Sequence, residues 1–326
     1  MLAFFGVVLG LLLLIGGGSA LVTGSSALAT RMGVSPMIVG LTIVGFGTSA
    51  PELVVNILGS IEGHTALAFG NVIGSNISNL GLVLGIAAII RTIDIHGTMV
   101  RREVPLLLLI TTIITIMALD GVIEGTPPQI GRSDAIILLL LFGIFLYITV
   151  KDFMLSRTRD TLLTEIEENP IVASVPSSRY QWLLITLGFL LLFAGGEVTI
   201  RASIVLATQA GVSTAVVGLF VVAIGTSMPE LVTTIIAAVR KESDLALGNL
   251  VGSNIFNSLI VLPASGLAGT ILIPRWGLLD LIVSWLFAAA LIPVFFLGKK
   301  KLTRPVGVFL LIAYGAYAFY RIVILG

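Results

Sequence analysis

One polar motif occurs twice in this chain, each time within a long apolar stretch. The copies are GTSAPE at 47–52 with GNVIGSNISN at 70–79, and GTSMPE at 225–230 with GNLVGSNIFN at 248–257. Every matched position lies 178 residues further along, and residues 40–79 and 218–257 are identical at 20 of 40 positions without a gap. The chain therefore contains two copies of one structural unit, and its fold must accommodate both.

Apolar runs of about 20 residues, the length that spans a bilayer as a helix, recur along the whole chain. Hydrophobic residues make up 57% of the sequence and charged residues only 11%, so we predict an all-α polytopic membrane protein. Ten spans are expected, at roughly 2–29, 37–59, 66–90, 104–119, 134–150, 181–207, 213–238, 245–268, 278–297 and 305–324. The absence of cysteine excludes disulfides and zinc–thiolate sites. We expect no nucleic-acid partner and no obligate protein partner.

Each copy of the motif lies within a unit of five spans. An odd number of spans means that the second unit enters the membrane from the opposite face, so the halves are inverted repeats. We predict a first five-helix repeat at 1–150 with its motif at 40–79, a linker at 151–180, and a second repeat at 181–326 with its motif at 218–257. The two Pro-Glu phrases are then expected to meet near the centre of the bilayer.

The distribution of basic residues predicts the orientation of the chain in the membrane. With ten alternating spans, fourteen Lys and Arg residues fall on one side of the membrane and four on the other. Basic loops stay in the cytoplasm. We therefore predict a multi-pass protein of the cell (inner or plasma) membrane, with both termini extracytoplasmic and the 151–180 linker cytoplasmic.

The polar residues of each motif align on one helix face. Thr48 and Ser49 precede Glu52 by four and three residues, so the three side chains lie together on a helix. The second motif repeats this arrangement with Thr226, Ser227 and Glu230. The proline before each glutamate cannot donate a backbone hydrogen bond. This predicts kinked central helices, whose freed carbonyl oxygens must be buried in protein or bind something.

Hard oxygen ligands accumulate along these faces. The motifs supply two carboxylates, four hydroxyls and the amide oxygens of Asn79 and Asn257, which with freed carbonyls exceed the roughly six to eight oxygens that Ca²⁺ binds. Neither histidine nor cysteine lies among them, which argues against zinc or copper. Two ionised glutamates match the charge of one Ca²⁺ or two Na⁺, and burying them without a cation is costly. The sequence therefore predicts a cation site.

The duplicated motifs resemble the alpha repeats of the sodium/calcium exchanger family, in the cation/calcium antiporter superfamily, and most of all those of its prokaryotic branch. The resemblance covers all ten spans and implies alternating access, in which Na⁺ and Ca²⁺ compete for one central cluster. The ion ligands that it implies are Glu52, Glu230, Thr48, Ser49, Thr226, Ser227, Ser75, Ser253 and Asn79, with the backbone carbonyls of Gly45 and Ala223.

Asn257 departs from the pattern of that family, because well-studied relatives carry an aspartate at the matching position. The site therefore lacks a third carboxylate, which bears on the stoichiometry, the Na⁺ dependence and the pH response. Because asparagine does not titrate, any proton competition would have to act through Glu52 and Glu230.

The leading functional hypothesis is a Na⁺/Ca²⁺ antiporter that extrudes Ca²⁺, with an H⁺/Ca²⁺ antiporter as the alternative. A passive cation channel is more distant, because inverted repeats and kinked helices favour alternating access around a closed site. An intramembrane enzyme is not expected, since no nucleophile–base pair, metal-binding histidines or cofactor motif accompanies the glutamates. The expected partners are thus Ca²⁺, Na⁺ or alternatively H⁺, and the lipid bilayer.

Several of these polar residues also have a purely structural interpretation. Buried Ser, Thr and Asn side chains can serve helix packing in membranes, and a buried glutamate can be a protonated hydrogen-bond donor. Asn71 and Asn249 suit helix capping as well as ion binding. Glycines that let helices approach closely are expected at Gly70, Gly74, Gly248 and Gly252.

Overall fold

The computed structural model of the chain describes residues 2–95, 99–119, 125, 127–164, 178–209, 227–297 and 300–324. The helices of the first half are α1 (Leu2–Met32), α2 (Pro36–Val39), α3 (Gly45–Thr48), α4 (Ala50–Ile61), α5 (Thr65–Ser78), α6 (Leu84–Ile90), α7 (Val104–Met117) and α8 (Arg132–Thr164). Those of the second half are α9 (Ser178–Gln209), α10 (Met228–Val239), α11 (Ser243–Phe256), α12 (Leu262–Ala268), α13 (Gly277–Leu297) and α14 (Arg304–Phe319).

Short π-helical segments join or flank several of these helices. They are Gly40–Val44, Asn79–Val83, Met99–Glu103, Asn257–Val261 and Tyr320–Ile324. The first connects α2 to α3, the second connects α5 to α6, and the fourth connects α11 to α12. Each of these composite helices therefore continues through a locally widened turn.

The predicted all-α membrane fold, with ten spans in two inverted five-helix repeats, is confirmed. Within the described residues nine of the ten predicted spans are helical, and the seventh is described from Met228 onward. Six helices there are long and apolar enough to cross a membrane, and the bent pair Pro36–Thr48 and Ala50–Ile61 makes a seventh. Two shorter apolar helices, α10 and α14, complete this set.

The fifth span is longer than the sequence predicts. Helix α8 runs on from Arg132 to Thr164, so the first part of the predicted 151–180 linker is helical. The stretch after residue 150 contains helix-forming residues such as Leu, Met and Arg, so the helix does not have to stop where the hydropathy falls.

Two small antiparallel sheets, which the sequence did not predict, connect the two halves. Strand β1 (Ile93–Asp94) pairs with β4 (Lys301–Leu302), and β2 (Gln129–Ile130) pairs with β3 (Ile271–Leu272). The Lys301 ammonium also lies 3.2 Å from the Asp94 carboxylate. Because β1 and β3 are equivalent positions in the two repeats, the sheets obey the same pseudo-two-fold relation as the helices and lie at opposite faces.

The long first helices of the two repeats, α1 and α9, pack against each other through glycines. A Cβ on Gly17 would lie 2.8 Å from the backbone nitrogen of Leu192, and one on the equivalent Gly195 would lie 2.8 Å from that of Leu14. Such distances require backbones in direct contact, as small residues allow in membranes. The buried cluster around Leu14, Leu21 and Leu192 also contains residues of α2, α10 and α11, so the pair packs against the remaining helices.

Helix α10 packs on α1, whereas the equivalent face of α4 is exposed. A Cβ on Gly18 would meet Ile236 and Val232 of α10 at 2.7 and 3.1 Å. The equivalents of these two residues in α4, Leu58 and Val54, are 54% and 57% exposed. The two repeats therefore differ in how their kinked helices contact the α1–α9 pair.

A polar contact accompanies the packing of α10 on α1. The Arg240 guanidinium, at the end of α10, donates to the Ser19 carbonyl oxygen at 3.2 Å, to the Thr23 hydroxyl at 2.5 Å, and to the Ser19 hydroxyl. In α9 the equivalents of Ser19 and Thr23 are Glu197 and Arg201, which form an exposed ion pair with each other.

Candidate functional site

The first Pro-Glu phrase lies at a break in a helix, as the sequence predicts, and the second begins helix α10, whose preceding residues 210–226 lie outside the described part of the chain. In the first repeat the helix ends at Thr48 and restarts at Ala50 with a bend of 42°. Ser49 at this break has φ −86° and ψ 4°, and the equivalent Ser227 has φ −86° and ψ 6°. Proline follows within the first turn of the new helix in both repeats, where its missing N–H is tolerated. The start of the helix that carries each glutamate is therefore a repeated local structure.

The two acidic side chains are buried in the centre of the helix bundle. Glu52 and Glu230 are 0% and 1% exposed. The Ser49 hydroxyl, one turn before Glu52, donates to the Glu230 carboxylate across the two repeats at 3.2 Å. This contact brings the first motif onto the acidic residue of the second, so the two halves contribute to one site.

A cluster of hydroxyls and a backbone carbonyl surrounds Thr48. Its hydroxyl lies 3.2 Å from the Ser253 hydroxyl and 3.3 Å from the Gly45 carbonyl oxygen, to which it donates. The Ser253 hydroxyl donates to the same carbonyl at 3.4 Å. Gly45, which enters the predicted ligand set only through the family resemblance, thus presents its carbonyl oxygen inside the site.

A second hydroxyl pair lies on the other side of the site. The Ser227 hydroxyl donates to the Ser75 hydroxyl at 3.5 Å, and both side chains are buried. Ser75 belongs to α5 in the first repeat and Ser227 to the start of α10 in the second, so this contact, like the one between Thr48 and Ser253, joins the two repeats. The structure therefore brings together all the predicted serines.

The amide residues Asn79 and Asn257 each occupy the first position of a π-helical segment. Both side chains are buried. Within the described part of the chain, the Asn79 amide oxygen and both polar atoms of the Asn257 amide have no hydrogen-bond partner. Buried polar atoms normally have partners, so these groups are available to a bound ligand.

The π-helical segments are the feature of the site that the sequence did not reveal. π-helical turns are rare and occur mostly at functional sites, and three of the five adjoin site residues. The segment Gly40–Val44 leads into Gly45, and the other two begin at Asn79 and Asn257. The repeated asparagine at the end of each polar helix face, Asn79 and Asn257, was the available sequence signal. An asparagine at that place does not by itself predict a π-helical turn of the backbone.

Asn71 and Asn249 are not helix caps. They lie inside α5 and α11, at the seventh position of each helix. Asn71 donates to the Asn56 amide oxygen at 3.2 Å, and Asn249 donates to the Thr234 hydroxyl at 3.0 Å. Asn249 also accepts from Thr48 at 3.2 Å. The capping interpretation is therefore wrong, and these residues support the kinked helices from within.

The two central helices touch backbone to backbone. A Cβ on Gly252 would lie 2.6 Å from the Leu41 carbonyl oxygen, and one on Gly248 would lie 2.6 Å from that of Met37. Close packing is thus confirmed for Gly248 and Gly252. The equivalent surroundings of Gly70 and Gly74 involve residues 210–226, which lie outside the described residues.

Two predicted site residues, Thr226 and Ala223, also lie outside the described residues. Within the described chain no group of three or more His, Asp or Glu side chains could hold a metal ion. A cation at this place would therefore need hydroxyl, amide and carbonyl oxygens in addition to the two carboxylates. That donor set suits hard ions such as Ca²⁺ and Na⁺.

Comparisons with known proteins match nearly the whole chain. The sequence model of the family described as sodium/calcium exchanger protein matches residues 2–151 and 180–323. The putative antiporter CaxA of Alkalimonas amylolytica is 35% identical over 325 residues, 96% of each chain. The sodium/calcium exchanger MaX1 of Methanosarcina acetivorans is 27% identical, over 96% of this chain and 97% of its own length.

Solved structures show the same fold. A structure of the sodium-calcium exchanger NCX_Mj, soaked with Na⁺ and Sr²⁺, superposes with a TM-score of 0.82. It is 28% identical in sequence, and the match covers 98% of both chains. The similarity thus extends over both repeats.

Proposed function

Because the chain belongs to the sodium/calcium exchanger family, we propose that it is a secondary antiporter that exchanges Na⁺ for Ca²⁺ and extrudes Ca²⁺. The observation that carries this proposal is the contact between Ser49 of one repeat and the buried Glu230 of the other. It joins two inverted half-sites into one oxygen-rich centre, which is where inverted-repeat transporters bind their ions.

The proposed ligands divide by chemistry. Glu52 and Glu230 supply the charge, and the hydroxyls, amides and carbonyls complete the coordination. The neutral ligands are Thr48, Ser49, Thr226, Ser227, Ser75, Ser253, Asn79, Asn257 and the carbonyl oxygens of Gly45 and Ala223. One Ca²⁺ or two Na⁺ neutralise the two carboxylates, so the ions substitute for one another and need not bind together.

Charge neutrality also explains why exchange would be coupled. Two ionised carboxylates buried without a cation cost several kcal/mol each in a low-dielectric interior. The empty, charged site therefore resists the transition between the two faces, and either ion removes that penalty. This dependence on a bound cation distinguishes an antiporter from a channel. No cofactor enters the mechanism.

The unequal packing of α10 and α4 supports alternating access. In a transporter built from inverted repeats, the opposite state exchanges the environments of the two halves. Here Ile236 packs on α1 while its equivalent Leu58 is exposed. The opposite state is expected to bury Leu58 on α9 and to release Ile236 from α1.

The repeat boundaries and the orientation belong to the same proposal. We assign the first repeat to 1–150, the linker to 151–180 and the second repeat to 181–326, with motifs at 40–79 and 218–257. The excess of basic residues on one side puts the linker in the cytoplasm and both termini outside the cell membrane. The family match omits residues between 151 and 180, which supports the assignment of a linker.

The coupling ion is tested in proteoliposomes with separately imposed Na⁺, K⁺ and H⁺ gradients. We expect radiolabelled Ca²⁺ to accumulate in Na⁺-loaded vesicles, in proportion to the Na⁺ gradient and in the presence of a protonophore. Accumulation driven only by a pH gradient would show H⁺/Ca²⁺ exchange instead. Ca²⁺ flux that is indifferent to every counter-ion would show a channel, and vesicles without protein provide the background.

A further inference from the structure

Four asparagines of the repeated GSNI-x-N sequence lie next to the proposed ion site and form an unequal pair of contacts. Asn76 is the equivalent of Asn254, and Asn79 is the equivalent of Asn257. The pseudo-two-fold relation predicts two identical hydrogen bonds across the repeats, Asn79 to Asn254 and Asn257 to Asn76. Of these two bonds between described residues, the structure contains the first and lacks the second.

The first contact fixes the Asn79 side chain. Its amide nitrogen donates to the Asn254 amide oxygen at 2.9 Å. Asn254 is itself held, because its own amide nitrogen donates to the Asn76 backbone carbonyl at 3.1 Å. With the nitrogen committed, the Asn79 amide oxygen is left buried and unpartnered within the described residues. It is therefore oriented as an acceptor for a ligand.

The second contact is absent, and the Asn76 side chain has another partner. The Asn76 amide nitrogen donates to the Ser258 hydroxyl at 2.9 Å. Ser258 has no counterpart in the first repeat, where the equivalent residue is Leu80. Among the described residues the Asn76 amide oxygen and the Asn257 amide nitrogen are both buried without partners. These two groups are the acceptor and donor that the missing bond would join.

We propose that Asn254 is a positioning residue that holds Asn79 as a fixed ion ligand, whereas Asn257 is an adjustable ligand because Ser258 holds its natural partner Asn76. This inference rests on the proposed antiport function, and it assigns different tasks to two residues that the sequence makes identical. A ligand held in place loses no freedom when the ion binds. A ligand that is not held must be ordered by the ion itself.

The same geometry explains why an amide suits position 257. An asparagine can donate to the Asn76 amide oxygen and still turn its own oxygen to an ion, whereas an ionised aspartate has no donor. In the state that forms this bond, Asn257 becomes held as Asn79 is held here. The carboxamide therefore serves the contact between repeats as well as the ion.

Double-mutant cycles on the half-saturating Ca²⁺ concentration of Na⁺-driven uptake test the proposal. We expect Asn254→Ala to raise this concentration about three- to tenfold, the effect of one hydrogen bond, with the maximal rate within about twofold of the original. In the Asn79→Ala background, Asn254→Ala is expected to have no further effect, because its only proposed role is to hold Asn79.

The matched control is the cycle between Asn254→Ala and Asn257→Ala, which involves the same residue types in equivalent places. Their effects are expected to multiply. The inference would be overturned if Asn254 were coupled equally to Asn79 and Asn257, or if its effects were multiplicative with those of both residues. Wild-type vesicles are measured first, because a wild type without Na⁺-driven uptake contradicts the proposed function, whereas normal wild-type uptake confines a negative result to Asn254.

A second series applies where Asn254→Ala does not give a folded protein by size-exclusion chromatography. Ser258→Ala removes the acceptor that holds Asn76. We expect Asn76→Ala and Asn257→Ala to have multiplicative effects in the natural sequence and clearly non-multiplicative effects in the Ser258→Ala background. Multiplicative effects in both backgrounds would contradict the role assigned to Ser258 and with it the adjustable Asn257.

Discussion

Helices α4 and α10 come from the same repeated sequence but occupy different environments. Val232 and Ile236 of α10 face Gly18 of α1, whereas their equivalents in α4, Val54 and Leu58, are exposed. Both helices begin with the same Pro-Glu phrase, and both glutamates are fully buried. The repeats are thus alike in the burial of their glutamates and unlike at the periphery. Alternating access from inverted repeats requires a common central site and outer helix contacts that the two repeats can exchange.

The largest expected effect tests the likeness at the centre. We predict that Glu52→Gln and Glu230→Gln each lower Na⁺-driven Ca²⁺ uptake by at least about 100-fold, since removing one partner of a buried charge cluster costs about 3 kcal/mol or more. Uptake into proteoliposomes is the measurement, and Glu62→Gln, at the exposed end of α4, is the control that should retain uptake. Near-normal uptake in either glutamine variant would refute the assignment of that carboxylate.

The next effect concerns stability and compares two glycines. Gly252→Ala places a Cβ 2.6 Å from the Leu41 carbonyl oxygen, so we expect it to destabilise the protein by about 1–3 kcal/mol, as overpacking does. Gly59→Ala meets no atom within 4 Å among the described residues and copies Ala237 of the second repeat. It should stabilise α4 by about 0.5–1 kcal/mol.

Thermal unfolding in detergent measures both changes. A Gly252→Ala protein as stable as the wild type would show that the central helices are not in backbone contact. A destabilised Gly59→Ala protein would show that α4 has a neighbour at this position.

A smaller effect tests the unlike periphery. Because the chain has no cysteine, Val54→Cys introduces a unique thiol on the exposed face of α4. Arg240→Ala removes the hydrogen bonds to Ser19 and Thr23 that exist in this state. We expect it to slow the reaction of the Val54→Cys thiol with a membrane-permeant maleimide by up to about fivefold, because a loss of about 1 kcal/mol shifts the population toward the opposite state.

The control for this measurement is Ile61→Cys. Ile61 is 65% exposed and its equivalent Val239 is 52% exposed, so this thiol is expected to react at the same rate in both states. An unchanged labelling rate at position 54 in the Arg240→Ala variant would mean that the unequal packing of α4 and α10 is permanent and unrelated to transport.

The last effect, of similar size, concerns Asn257. We predict that Asn257→Asp raises the apparent Ca²⁺ affinity about fivefold at alkaline pH, since a charged partner contributes about 1 kcal/mol more than a neutral one. Acidification protonates the new carboxyl group and removes this gain, while the natural asparagine does not titrate. Uptake measured against pH detects the change. An unaltered affinity and pH profile, with folding intact, would place residue 257 outside the ion shell.

Hydropathy and proline placement predicted much of the fold and of the site. The lengths of the apolar runs predicted the spans, and Pro51 and Pro229 marked the first turns of the two helices that carry the glutamates. These features are local, because a bilayer fixes span length and a proline fixes its own turn. Burial of Glu52 and Glu230 followed from their positions in the middle of apolar spans.

The rest depends on contacts between distant residues. The π-helical turns at Asn79 and Asn257, and the strands at 93–94 and 271–272, arise where segments from different repeats meet. The bond from Asn76 to Ser258 could not be read from a repeat in which Leu80 stands at the matching place. The length of α8 was missed for a different reason, since hydropathy reports where the membrane ends and not where the helix ends.

The two small sheets set a limit on how the molecule can move. Each one fastens a connection of the first repeat to a connection of the second, β1 with β4 on one face and β2 with β3 on the other. Because the two sheets lie at opposite ends of the molecule, the repeats cannot rotate apart about a single hinge while both sheets stay paired. A transport cycle that keeps both sheets paired must instead slide or tilt helices that are not joined by a strand. Among the described residues, neither α1 nor α9 is adjacent in the chain to a strand.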